Sequence, residues 1–255
     1  MILLQRYEKT CYLCTWFLIT IVFMNTRESF SVLFDFDGVV MDTESQYSVF
    51  WHQIGVEYLQ HENLEQIIKG QTLTTIFNTY FKGCEDQWTT IDGKLKYFEQ
   101  HMQYDYIDGF EDFIHDLKAN GVMTAVVTSS DERKMAAVYD AHPEIPQLFD
   151  RIFTAEMFTK SKPAPDCYLL GMKSFRTDAA HTFVFEDSFN GLNAGLASGA
   201  TVIGLATTNK AEDIAPLCHH ILYDYRDFSF EKLIELNERK HSYINDAGFL
   251  AYLHF

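Results

Sequence analysis

From residue 30 onward the chain alternates between two hydrophobic patterns. Short, unbroken apolar runs occur at Ser31–Phe34, Met123–Val127, Thr182–Phe185 and Thr201–Leu205, with a weaker one at His220–Tyr223. Runs of this length without polar alternation suit strands buried on both faces of a parallel sheet. Helical periods lie between them. Phe110, Phe113, Ile114 and Leu117 fall at i, i+3, i+4 and i+7, and Asn120-Gly121 supplies a stop. A helix is predicted from near Asp131. Pro165 opens another, with Tyr168, Leu169 and Met172 on one face. Strand alternating with helix predicts an α/β fold with a doubly wound parallel sheet, which binds ligands beyond the carboxyl ends of its strands.

The stretch 44–106 breaks that alternation. Tyr47, Phe50, Trp51 and Ile54 make one helical stripe, Leu73, Ile76, Phe77 and Tyr80 a second, and Leu95, Phe98 and Met102 a third. Helices in succession with no strand between them predict an insertion packed as its own small bundle. Its aromatics are expected to form the core of that bundle, as stripes at helical spacing usually do, and not a substrate platform. The expected division is an α/β core over 30–43 and 107–240, an all-helical insertion over 44–106, an N-terminal extension over 1–29 and a tail over 241–255.

Composition narrows the function. The 255 residues carry a formal net charge of −16, a surface that repels nucleic acid and anionic lipid, so neither is expected as a partner. Hydrophobic residues make up 47% of the chain, enough for a sizeable core. The five cysteines, Cys11, Cys14, Cys84, Cys167 and Cys218, are odd in number and scattered. They predict no disulfide framework and a reduced, cytoplasmic setting. Cys11 and Cys14 have no second pair with which to complete a zinc site. The apolar run Cys11–Met24 covers 14 residues, short of the ~17–25 that span a bilayer. No small-residue cleavage site follows it, so residues 1–23 are read as a start-site artefact and Met24 as the true start, with an anchor or export signal as the alternative reading. A monomer is expected.

The candidate chemistry sits at strand ends. Asp35-Phe36-Asp37-Gly38 directly follows the first apolar run, and Glu186-Asp187 follows the run Thr182–Phe185. If those strands are neighbours, four carboxylates converge and would repel one another without a cation. All the candidate ligands are oxygens, with no histidine or cysteine in either motif, which points to Mg²⁺. Thr128-Ser129-Ser130 stands between a strand and a helix start, where hydroxyls and free N–H groups can hold an anion. Lys162 is stiffened by Pro163 and Pro165.

In their order along the chain, DFDGVVMDTE, VVTSS, SKPAPD and FEDSFNG resemble the four motifs of the haloacid dehalogenase superfamily. SKPAPD followed by EDS is similar to its β-phosphoglucomutase-like branch. The resemblance covers roughly 31–205 and implies these roles. Asp35 is the nucleophile that becomes phosphorylated, and Asp37 the general acid and base, its backbone carbonyl also binding Mg²⁺. Thr128 and the Ser129 N–H hold phosphoryl oxygens, and Lys162 bridges nucleophile and phosphate. Asp35, Asp37, Glu186 and Asp187 form the metal site. The inserted helices act as a cap, in which Lys69 and Gln71 belong to the segment that selects the substrate. The expected function is a Mg²⁺-dependent phosphatase acting on a small phosphate ester, with a sugar phosphate as the family-level expectation.

Three other functions use the same fold. Mutases of the branch carry a histidine shortly after the DxD motif and an arginine in the cap loop; the matching positions here are Tyr47 and Leu73. True haloacid dehalogenases need no metal and lack the second aspartate, which Asp37, Glu186 and Asp187 argue against. A non-enzymatic binding protein on this fold would carry a broken motif. All four motifs are whole.

Overall fold

The computed structural model describes residues 29–237. Six parallel strands form one sheet: β1 (Ser31–Phe34), β2 (Met123–Val127), β3 (Arg151–Phe153), β4 (Thr182–Glu186), β5 (Thr201–Leu205) and β6 (His220–Leu222). Their order is β3-β2-β1-β4-β5-β6. The chain winds outward from β1 to one edge, then returns and winds to the other, so the sheet's topological switch lies between β1 and β4. Helices α1 (Glu44–Ile54), α2 (Leu64–Ile67), α3 (Leu73–Tyr80) and α4 (Trp88–Glu99) all lie between β1 and β2. The crossovers use α5 (Phe110–Ala119), α6 (Glu132–Ala141), α7 (Ile145–Leu148), α8 (Asp166–Phe175), α9 (Phe189–Ser198) and α10 (Ala211–Ile214). Residues 230–237 are helical as well.

The central strands are apolar throughout because both sheet faces are covered. Along β1, Val32 and Phe34 enter one core with Phe113 and Phe185, while Leu33 points into the other with Val127 and Val184. This is the period-2 geometry of a strand with two buried faces. The inserted helices have a third core of their own, built on Phe50, Trp51, Ile54, Phe77, Phe81 and Leu95.

Two local expectations change. β3 has no counterpart among the predicted runs. It is three residues long, lies at the sheet edge and exposes Arg151, so it carries little hydrophobic signal. The third cap stripe ends early: α4 stops at Glu99, and Met102 packs instead against the core beneath the sheet. Cys84, Cys167 and Cys218 are free thiols. No helix among the described residues is long and apolar enough to cross a membrane. The apolar run 11–24, the Cys11/Cys14 pair and the tail lie outside the described residues.

Candidate active site

Because β1 is hydrogen-bonded to both β2 and β4, the carboxyl ends of three strands lie side by side. Phe34 is in register with Val126 on one side and Phe185 on the other. Asp35 directly follows β1, Thr128 directly follows β2, and Asp187 directly follows β4, which ends on Glu186. The Asp35 N–H donates to the Phe185 carbonyl at 3.0 Å, so Asp35 prolongs the strand's own ladder.

Lys162 rises from the loop before α8 and is 1% exposed. Its Nζ donates to Asp35 Oδ1 at 2.7 Å, to Glu186 Oε1 at 2.6 Å and to the Val127 carbonyl at 3.2 Å. An ammonium has three protons, and all three have acceptors. Glu186 is engaged on both oxygens. Oε1 also accepts from the Tyr168 hydroxyl at 3.0 Å; Oε2 accepts from the N–H groups of Asp187 and Ser188 and from Ser188 Oγ, at 2.9–3.0 Å. These donors open α9, whose end favours a negative charge. Ser188 Oγ in turn caps that helix by accepting from the Gly191 N–H at 3.0 Å.

Asp187 is buried beside them. Thr208 donates to its Oδ2, and the Asn209 side chain donates to its backbone carbonyl at 2.8 Å. Gly38 has φ +74°, and a Cβ there would collide with the Asp187 carboxylate. Its backbone conformation and the close approach both require glycine. Ligand oxygens of Asp35, Glu186 and Asp187 lie within 4.8 Å of one another.

Three buried carboxylates against one ammonium leave a formal charge of −2. The cost shows in their proton affinities. Burial pushes the Asp35 carboxyl up to about 7, with Lys162 opposing the rise and Glu186 adding to it. Burial also drives Asp187 well above the carboxylate range, reinforced by Glu44, Glu186 and Asp35. Burial disfavours the Lys162 ammonium, but Asp35 and Glu186 outweigh it and hold that group above the ordinary lysine range. A divalent cation would cancel the excess. The all-oxygen donors fit Mg²⁺, and Asp35 and Asp187 have the freer carboxylates to hold it.

The carboxylate of Asp37 is not part of this trio. It is held on the other side of the same cavity by Thr43 (Oγ1 to Oδ1, 2.5 Å), Ser130 (Oγ to Oδ2, 3.1 Å) and the Lys134 ammonium. Lys134 is 2% exposed and lies over the Tyr47 ring, 4.6 Å from its centroid. Any contact of Asp37 with a metal therefore falls to its backbone carbonyl. The Asp131 side chain caps α6 by accepting from the Lys134 N–H at 2.8 Å, which sets the first turn that aims Lys134 inward.

The cap closes over both groups through backbone atoms of residues 69–72. Ser129 Oγ donates to the Gly70 carbonyl at 2.9 Å, Asn190 to the Lys69 carbonyl at 2.7 Å, and the Thr72 N–H to Ser161 Oγ at 3.1 Å. Gly70 has φ +73°, and a Cβ there would stand 2.5 Å from Ser188 Oγ. Beneath this seal is a cavity of about 100 Å³, with Asp35, Asp37 and Thr128 in its wall. At roughly 10–15 Å³ per water position, that suits a small organic molecule.

The predicted cap residues do reach the cavity. Lys69 lines it and is paired with Glu44 at 3.3 Å; Gln71 lines it while donating to the Ile67 carbonyl at 2.8 Å. Tyr47, Trp51 and Leu73 also face it, so the aromatic stripe of α1 serves both the cap core and the wall. Sequence reasoning missed Lys134, Ser130 as a partner of Asp37, Tyr168 and Thr208. Ser130 and Thr43 stand inside recognised motifs and could have been suspected. Lys134 and Tyr168 look like ordinary helix residues, and only the packing aims them at carboxylates.

The chain is similar to several known proteins. The chain is 25% identical over 207 residues to a bifunctional riboflavin kinase/FMN phosphatase of Arabidopsis thaliana, a match covering 79% of this chain but only 55% of that protein. It is 27% identical over 237 residues to glycerol-1-phosphate phosphohydrolase 2 of Saccharomyces cerevisiae, covering 87% of this chain and 86% of the relative. A β-phosphoglucomutase from Clostridium difficile shares the fold with a TM-score of 0.69 at 17% identity, over 84% of this chain and 99% of that one. The family model for haloacid dehalogenase-like hydrolases matches residues 32–205, from β1 to the end of β5, and with all four motifs gathered at one strand edge the chain belongs to that family of enzymes.

Proposed function

We propose that the protein is a Mg²⁺-dependent phosphatase that hydrolyses a small phosphorylated metabolite through a phosphoryl group carried on Asp35. One observation carries the reading: two carboxylates face one cavity, held in different ways. Asp35 is fixed by Lys162 in a buried acidic trio, while Asp37 is fixed separately by Thr43, Ser130 and Lys134. That division suits two roles. An Asp35 carboxylate oxygen attacks phosphorus, and the bond to the leaving oxygen breaks as Asp37 gives that oxygen its proton. Asp37, now a carboxylate, takes a proton from water, whose oxygen attacks the same phosphorus. Inorganic phosphate leaves, and Asp35 is restored.

The remaining groups hold the transferred phosphoryl. Thr128 and the backbone around Ser129, in the loop between β2 and α6, would donate to its oxygens, and Lys162 would keep Asp35 in line. Mg²⁺ held by Asp35, Asp187 and the Asp37 carbonyl, with Glu186 beside it, would offset charge on the phosphoryl oxygens. The relatives named as an FMN phosphatase and a glycerol-1-phosphate phosphohydrolase support a hydrolytic outcome for this chain.

The test is phosphate release from an aryl phosphate and from a panel of phosphorylated metabolites. Release should require Mg²⁺, stop with a chelator and return when Mg²⁺ is added. Rapid quenching should trap an acid-stable, base-labile phosphate on the peptide containing Asp35. Full activity in the chelated enzyme, or phosphate trapped on another residue, would overturn the reading.

A further inference from the structure

Beyond Asp37 the cavity ends against the cap in polar groups that the proposed chemistry leaves unused. Glu99, the last residue of α4, is 5% exposed. Its Oε1 accepts from the Tyr47 hydroxyl at 3.1 Å, but Oε2 has no hydrogen-bond partner. Arg133 faces it from α6. Asp92 holds Nη1 at 2.5 Å, while Nε and Nη2 are buried and donate to nothing. Nη2 stands 3.9 Å from Glu99 Oε2 and 3.3 Å from Asp131 Oδ2, attracted to both without hydrogen-bond geometry. Glu65 Oε2 is buried and also lacks a hydrogen bond. Its neighbour, His52 Nδ1 at 3.5 Å, is committed to the Glu62 carbonyl at 2.9 Å. Glu65, Glu99 and Arg133 all line the cavity. Buried polar atoms are nearly always paired, so a cluster of unpaired ones around a cavity marks where a ligand's groups belong.

The chemistry of that ligand follows from what the cluster can accept. The cations on the wall are already committed: Lys69 to Glu44, Lys134 to Asp37 and Arg133 Nη1 to Asp92. A second phosphate could reach only the open edge of Arg133, where it would stand against the Asp131 and Glu99 carboxylates. An ammonium group would sit against Arg133 and Lys134. A hydroxyl suits both sides, with a proton to give a carboxylate and lone pairs to take an Arg N–H, and adjacent hydroxyls answer both at once.

We propose that Glu99 and Arg133, with Glu65, form a subsite for adjacent hydroxyls on the uncharged leaving group of a polyol or sugar monophosphate, and that bisphosphates are rejected there. The subsite rests on the phosphatase reading, and the experiment separates the two. The Mg²⁺-loaded full chain is assayed with an aryl phosphate, three- to six-carbon polyol and sugar monophosphates, alkyl monophosphates of equal carbon number, and sugar bisphosphates. At least one polyol or sugar monophosphate should exceed its alkyl counterpart in kcat/KM by about a hundredfold or more, and the matching bisphosphate by a similar factor. Glu99→Gln and Arg133→Gln should each shrink the polyol-to-alkyl ratio at least about tenfold, chiefly through KM. A ratio taken on one preparation does not depend on how much of a variant is folded.

A ratio near one in the native enzyme, a preference for a bisphosphate, or a large ratio that neither variant changes would overturn the subsite while aryl phosphate hydrolysis left the phosphatase reading standing. Absence of phosphate release from every ester would overturn that reading and the subsite with it.

Discussion

The floor and the roof of the cavity use the same kinds of residue but leave them in opposite states. On the floor, every proton of the Lys162 ammonium has an acceptor, and both Glu186 oxygens are taken by Lys162, Tyr168 and the start of α9. In the roof, Glu99 Oε2, Glu65 Oε2 and two nitrogens of Arg133 are buried without hydrogen bonds. A closed network holds reacting groups in one geometry before a substrate arrives, which is where catalysis gains from preorganisation. An open network carries an energetic cost that a matching ligand removes. The floor is thus suited to chemistry on a phosphoryl group, and the roof to choosing what that group is attached to.

The sharpest way to break this contrast is at the nucleophile. Asp35→Asn removes the attacking oxygen but preserves the side chain's shape, and turnover of every phosphate ester should fall by at least about 10⁴-fold. A variant that retains a tenth of native phosphate release would put the chemistry somewhere other than the floor.

Next in size is the loss of a floor cation. Lys162→Met leaves Asp35 and Glu186 buried with no partner charge, and breaking such a pair costs about 3–5 kcal/mol. Urea unfolding at pH 8 without metal should show that loss, and it should shrink near pH 5 as the carboxyls take up protons. The corresponding change under the roof, Lys134→Gln, should cost only about 1–2 kcal/mol, since Asp37 keeps Thr43 and Ser130. Equal losses from the two substitutions would mean that Thr43 and Ser130 do nothing for Asp37 once Lys134 is gone.

A smaller effect concerns metal binding at low pH. Asp35 holds its proton up to about 7, against an ordinary value of 3.8, and must release it to bind a cation. Mg²⁺ affinity should therefore weaken by about tenfold or more per pH unit as pH falls from 7 to 5. Calorimetry in buffers of different protonation enthalpy counts the protons released, and none released at pH 6 would contradict the raised proton affinity.

The smallest expected effect lies in the roof. Burial pushes Glu99 up to about 7, while Lys134 and Arg133 oppose the rise. The folded state therefore favours protonated Glu99, and its contribution to stability is full below about 4.5 and lost as pH rises through 7. Glu99→Gln, which never ionises, should gain stability relative to the native protein as pH rises from 4.5 to 8. Parallel pH–stability curves for the two proteins would mean that Glu99 is not strained by its burial.

How far each part could be read from the chain follows the same division. Asp35, Asp37, Glu186 and Asp187 stand next to apolar runs, so their placement at strand ends was readable once the strands were. Lys162 was readable from the prolines around it and its place between motifs. Edge strand β3 was not, because three residues with only Phe153 buried are too few to carry a period. Neither was the split between Asp37 and the other carboxylates, since adjacency in sequence says nothing about which way a side chain turns. Glu99 and Arg133 belong to separate helices and look like solvated charges; Lys134 looks the same until α6 is packed under the cap.

The sequence by itself determined the parallel sheet, the inserted helices and the set of groups able to do phosphoryl chemistry, because short-range periodicity and motif spacing encode them. The tertiary structure alone decided which charges are paired and which are left open. Pairing depends on burial and on distances of a few ångströms between residues far apart in the chain, and those exist only after the cap has closed on the strand ends.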